Sequence, residues 1–113
     1  YKTEAFELCR YINRDKEIIP WHTINKPPSA ELRPDQKDTD SLPDYPILDA
    51  ILYQYVELSK SAEEIIEQGY DEVVVNKVVK MVYRNDFKRF QLAPVLAISP
   101  MPFAMREMPI VKK

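Results

Sequence analysis

Asp71-Glu-Val-Val-Val-Asn-Lys-Val-Val-Lys-Met-Val-Tyr-Arg84 is the stretch on which the fold class turns. Its valines are β-branched and suit a strand. The polar residues Asn76, Lys77, Lys80 and Arg84, however, interrupt them with a period nearer 3.6 than 2, which predicts a helix capped by Asp71. On that reading Val74, Val75, Val78, Val79, Val82 and Tyr83 form one buried stripe. Upstream, Ser61-Ala-Glu-Glu64 reads as a capping box that opens a short helix burying Ile65 and Ile66. Gly69, the single glycine, stands where a left-handed stop is wanted. Further upstream, Ile47, Leu48, Ile51, Leu52, Tyr55 and Val56 keep a helical stripe that begins near Asp44, with Pro46 in a first-turn position.

At the other end of the chain, Phe6, Cys9, Tyr11 and Ile12 predict a helix from Thr3, its cap, to about Asn13. Asn13-Arg-Asp15 breaks it, and Glu17-Ile-Ile-Pro-Trp21 reads as a connector. Six prolines and no glycine fall between Pro20 and Pro46, around the mixed-charge tract Glu31-Leu-Arg-Pro-Asp-Gln-Lys-Asp-Thr-Asp40. So few apolar groups predict an exposed, mobile loop, of the kind that often serves as a lid. After a basic turn, Asp86-Phe-Lys-Arg-Phe-Gln91, the proline-punctuated tail from about residue 92 to 113 reads as an extended arm. The predicted fold is all-α: a lead helix, a long loop, three further helices and the arm.

The composition narrows the function. A chain of 113 residues fits one domain. One glycine is too few for a phosphate-cradling loop, because backbone amides approach a phosphate only where no Cβ intervenes. Cys9 and His22, one of each, offer neither a disulfide nor a zinc site. A net charge of −2 argues against a nucleic-acid binder, and the uncharged stretch Phe90–Met105 is broken by prolines, which argues against a membrane span. The first residue, Tyr1, suggests a piece of a longer protein.

Four features could carry chemistry. Lys2 precedes the expected Thr3 cap, where a cation opposes the helix dipole unless an anion shares the site; a solvated lysine is the plain alternative. Asn25-Lys-Pro-Pro-Ser-Ala-Glu31 places a lysine, a hydroxyl and a carboxylate around a stiff Pro-Pro pair, as a lid or as a spacer. Arg84, Lys88 and Arg89 cluster at a helix end with only Asp86 opposing, as an anion clamp or as a solvated face. Cys9 with His22 would be a nucleophile pair only if something oriented them; a buried structural cysteine is the commoner case.

The runs Tyr1-Lys-Thr-Glu-Ala-Phe-Glu-Leu-Cys-Arg-Tyr-Ile-Asn13, Lys26-Pro-Pro-Ser-Ala-Glu-Leu-Arg-Pro-Asp-Gln-Lys-Asp38, Ser41-Leu-Pro-Asp-Tyr45 and Arg84-Asn-Asp-Phe-Lys-Arg89 resemble, in order, landmarks of glutamine-dependent NAD+ synthetases. The acidic Arg33–Asp44 insert resembles the glutamine-using branch. The resemblance implies the helical C-terminal portion of an α/β ATP-pyrophosphatase domain of the adenine nucleotide alpha hydrolase-like kind. The family's Ser-Gly-Gly-x-Asp-Ser segment would lie upstream, so this chain alone is expected to be inactive and to hold no catalytic residue. In enzymes of this family ATP activates the nicotinate carboxylate of deamido-NAD+ as an adenylate, pyrophosphate leaves, and ammonia from glutamine attacks to form the amide, so the resemblance implies the same for the whole protein.

The resemblance gives Lys2 and Ser29 to ATP and Lys88 to deamido-NAD+. Lys26, Glu31 and Arg33 become lid residues without individual roles. Mg2+ ligands are expected elsewhere. The resemblance also implies partner synthetase and glutaminase domains and a cytoplasmic location; apolar stripes left bare without the sheet they rest on predict a homo-oligomer, and charge and prolines leave neither nucleic acid nor membrane among the expected partners. Phe90, where relatives carry an arginine, and Phe103-Ala-Met105 depart from the family pattern. The rival reading is a free-standing helical interaction module whose apolar stripes dock a partner.

Overall fold

Every regular element among the described residues of this computed structural model, 1–94 and 96–99, is helical. Two compact units divide the chain, Tyr1–Asp49 and the part from Ala50 onward.

In the first unit α1 spans Lys2–Ile12 and α2 Trp21–Asn25, and the two pack together. Thr3 is not the cap of α1, as its residue type suggested, but lies inside the first turn. There its backbone N–H and its hydroxyl both donate to Asp49 Oδ2, at 2.7 and 2.8 Å. A helix start needs acceptors for its unpaired amides, and this acceptor comes from a residue 46 positions away. Glu4 adds a second closure by accepting from the Tyr1 nitrogen at 3.1 Å.

The break at Asn13 is a clip. The side chain is buried; Oδ1 accepts from the amides of Ile18 and Ile19 at 3.0 and 2.9 Å, while Nδ2 donates to the Ile19 carbonyl at 2.7 Å. The expected connector therefore ends in a helix: Pro20 starts α2, and Glu17 accepts from the Trp21 amide. The apolar stripe of α1 is only partly covered: Phe6 and Cys9 are half-buried, while Tyr11 and Ile12 are exposed. No residue of α1 is buried, and Leu8 and Tyr11 are 59% and 62% exposed, because α2 offers only five residues to cover it. Cys9 is half-buried rather than a core residue, and His22 is exposed.

α3 spans Tyr45–Leu52 and continues as a π turn over Tyr53–Glu57, closed by the Leu58 amide on the Tyr53 carbonyl at 3.2 Å. The wider turn shifts the expected stripe. Leu48, Ile51, Tyr55 and Val56 are buried, Ile47 is exposed, and Gln54 is carried inside. Its Oε1 is satisfied by Lys60 Nζ at 2.9 Å, which also donates to Gln68 at 3.2 Å.

In the second unit α4, Ala62–Glu67, has the expected reciprocal capping box: Glu64 N–H donates to Ser61 Oγ and Ser61 N–H to Glu64 Oε2. Gly69 at φ +96° turns the chain out of it. α5 spans Glu72–Asn85, capped by Asp71, which accepts from the Val74 amide at 2.9 Å. It packs on α4 with Val75, Val78 and Val82 buried. Helix thus prevails over strand, although Tyr83 and Ile66 lie outside the core: Tyr83 is 57% exposed and Ile66 half-buried. The basic turn is a 3-10 helix, Asp86–Gln91. Of the expected arm, residues 92–94 and 96–99 carry no helix or strand; the rest, with Phe103-Ala-Met105, lies outside the described residues.

Asp49→Ala leaves a helix-start amide and a hydroxyl without their acceptor, so we expect a loss of about 1–3 kcal/mol in urea denaturation of the full-length protein. Asp49→Asn, which keeps an acceptor oxygen, is expected to lose less.

Candidate functional site

The start of α1 and the segment after α2 lie in one unit and are built around Tyr45. Lys2 is exposed, and its Nζ stands 5.7 Å from the centre of the Phe6 ring and 5.9 Å from that of Tyr45. Aromatic faces attract a cation without neutralising it. Among the described residues no carboxylate forms an ion pair with Lys2. The helix end is less open to an anion than the sequence suggested, because the Asp49 carboxylate already takes the Thr3 amide. The Lys2 ammonium beside it forms no ion pair among the described residues and stays open to an anion.

The segment expected to be structureless folds back on itself. The Asp38 amide donates to the Pro28 carbonyl at 2.9 Å, and a 3-10 turn follows over Asp38–Asp40. Inside this closure Ser29 Oγ accepts from the Glu31 amide at 3.0 Å, and Gln36 Oε1 accepts from the Leu32 amide at 2.9 Å. Glu31 and Asp35 sit at φ +52° and +55°, a left-handed backbone that side chains resist. Lys26 pairs with Glu31, whose carboxyl is held below its usual range by that hydrogen bond and charge. Arg33 pairs with Asp40 at 3.6 Å. These contacts are exposed and worth little singly. Together they shape a hollow of about 880 Å3 that Lys26, Ser29, Glu31, Arg33, Asp35 and Lys37 line. Ser29 is half-buried there, and its hydroxyl proton remains available to donate.

Tyr45 joins the two features. Its hydroxyl donates to Asp38 Oδ2 at 2.6 Å. Burial first, then this hydrogen bond and the nearby charges of Asp38 and Asp49, push its phenol up from 10 to about 12. From sequence alone Tyr45, Asp38 and Asp49 have no assigned role. An aspartate inside an otherwise apolar helix, Ile47-Leu-Asp-Ala-Ile-Leu52, was the available signal.

In the second unit the basic helix end is thinner than its composition. Arg89 is largely buried and pairs with Asp86 at 2.6 Å, so its charge is spent within the turn. Lys88 and Arg84 are exposed, and among the described residues neither forms an ion pair. The structure thus brings Lys2 and the root of the Ser29 loop together within the first unit, while Lys88 belongs to the second.

Comparison with known proteins adds the chemistry. The family model described as NAD synthase matches residues 1–92. The glutamine-dependent NAD(+) synthetase of Acinetobacter baylyi is 54% identical over 98% of this chain, and that of Synechocystis 50% over 90%. The chain spans about a fifth of the length of these relatives, 21% and 18%. A solved structure of the glutamine-dependent NAD+ synthetase from Acinetobacter baumannii, in complex with ADP, superposes with a TM-score of 0.59 at 38% identity. It covers 97% of this chain, which corresponds to 19% of that one.

Because the folded value of the Tyr45 phenol lies above its ordinary 10, the stabilisation tied to its proton is whole below pH 10 and fades as pH rises through about 12. An ultraviolet phenolate titration is expected to show a late-ionising tyrosine that Tyr45→Phe removes. Loss of a phenolate that ionises near the ordinary value of 10 would instead place Tyr45 in open water.

Proposed function

The chain belongs to the NAD synthase family, and from that premise we propose that it forms the helical C-terminal part of the synthetase domain of a glutamine-dependent NAD+ synthetase. The enzyme would use ATP to activate the nicotinate carboxylate of deamido-NAD+ as an adenylate with release of pyrophosphate, and ammonia from glutamine would attack the acyl carbon, displacing AMP and forming the amide. The observation that carries this reading is the family match over residues 1–92, which contains Lys2, Ser29 and Lys88. The ADP held by the Acinetobacter baumannii relative supports adenine-nucleotide use.

In this reading the chain binds and positions and breaks no bond itself. Lys2, held by aromatic faces rather than a carboxylate, keeps its full charge for the phosphates of ATP. Ser29 donates its hydroxyl proton to ATP from a loop whose hollow also presents Lys26, Arg33 and Lys37. The segment between residues 20 and 46 acts as the lid, keeping water off a labile mixed anhydride. Lys88 contacts deamido-NAD+. The Mg2+ ligands are assigned, in this reading, to the remainder of the synthetase domain. The exposed face of α1, Leu8 and Tyr11, which would otherwise favour an interaction module, is in this reading covered by the remainder of the domain.

In the full-length enzyme Lys88→Ala is expected to raise the KM for deamido-NAD+ by about tenfold while glutamine hydrolysis is unchanged. Unaltered substrate kinetics would remove Lys88 from the site. Ser29→Ala is expected to weaken use of ATP by about three- to tenfold, read as kcat/KM, and full activity would leave the loop a spacer.

A further inference from the structure

We propose that Tyr45 and Asp38 are positioning residues: their hydrogen bond latches the root of the Ser29 loop to the helix that stands beside the Lys2 ammonium. This rests on the assignment of Lys2 and Ser29 to ATP. Tyr45 touches both parties, with its ring 5.9 Å from Lys2 Nζ and its hydroxyl 2.6 Å from Asp38 Oδ2. Asp38 is the point at which the loop closes. Its amide donates to the carbonyl of Pro28, the residue before Ser29, and its own carbonyl accepts from the amides of Ser41 and Leu42 at 3.1 and 2.9 Å.

Holding Asp38 therefore holds Pro28, and with it the placement of the Ser29 hydroxyl. Tyr45 is itself fixed, since it opens α3, and Asp49 one turn later binds the start of α1 through Thr3. Lys2 and the latch are thus carried by the same pair of helices. Tyr45 and Asp38 are both half-buried, so water competes weakly for the bond. A loop of this length that had to find its place anew for each nucleotide would lose binding free energy in being ordered. A preset root lowers that loss and acts on the binding of ATP more than on the chemical step.

The substitutions separate the contacts. In the full-length enzyme Tyr45→Phe keeps the ring beside Lys2 and removes the donor; Asp38→Ala removes the acceptor; Asp38→Asn keeps an acceptor oxygen. Tyr45→Phe and Asp38→Ala are each expected to raise the KM for ATP by about three- to tenfold, with kcat and glutamine hydrolysis nearly unchanged. The double variant should be no worse than either single one, and Asp38→Asn should lie near the unsubstituted enzyme. Trypsin offers a direct view of the loop. The bonds after Lys26 and Arg33 precede prolines and resist it, so cutting inside the loop falls at Lys37–Asp38 and should quicken in Tyr45→Phe.

An unaltered KM for ATP in Tyr45→Phe and Asp38→Ala, while Lys2→Ala raises it, would overturn the latch and leave the ATP assignment standing. An unaltered KM in Lys2→Ala would overturn that assignment and the latch with it. A parallel fall of kcat and glutamine hydrolysis would show a general structural role instead.

Discussion

The first unit depends on one buried carboxylate. Asp49 is 7% exposed, and its Oδ2 takes two hydrogen bonds from Thr3. A carboxylate taken from water must be repaid in hydrogen bonds, and the first turn of a helix offers unpaired amides with a positive field. Each group answers the other's need. That exchange fixes the start of α1 against α3, and so sets Lys2 beside Tyr45.

From Tyr45 the same logic reaches the loop. A segment with so many prolines and charges finds little apolar burial between Lys26 and Asp40, where Leu32 is 84% exposed. Order comes instead from local bonds: Asp38 to Pro28, Glu31 to Ser29, Leu32 to Gln36. Such bonds give the segment a defined shape without an apolar core of its own. Glu31 and Asp35 are held in a left-handed backbone region that side chains resist.

The second unit is more conventional in its packing and less so in its polar groups. α4 and α5 meet through Ile65, Val75 and Val78, which are essentially without solvent contact. The π turn before them admits Gln54 to the interior and requires Lys60 to satisfy it. At the far end Asp86 neutralises Arg89, which leaves Lys88 and Arg84 as the cations facing water. A basic cluster counted in sequence therefore overstates the charge a ligand would meet.

The sequence by itself determined the helical class, the capping box at Ser61, the stop at Gly69, the Asp71 cap and the valine stripe of α5. All are local: their periodicity and end chemistry are complete within a few residues. It also carried the landmarks of the family, because those are runs of residue types. Tertiary structure alone decided that Thr3 is bound by Asp49 rather than acting as a cap, that Tyr45 reaches Asp38, and that Tyr83 and the Tyr11–Ile12 end of the α1 stripe stay exposed. Each of these depends on which distant group arrives at a given place. Spacing along a chain encodes the faces of an element; only the fold determines what stands opposite them.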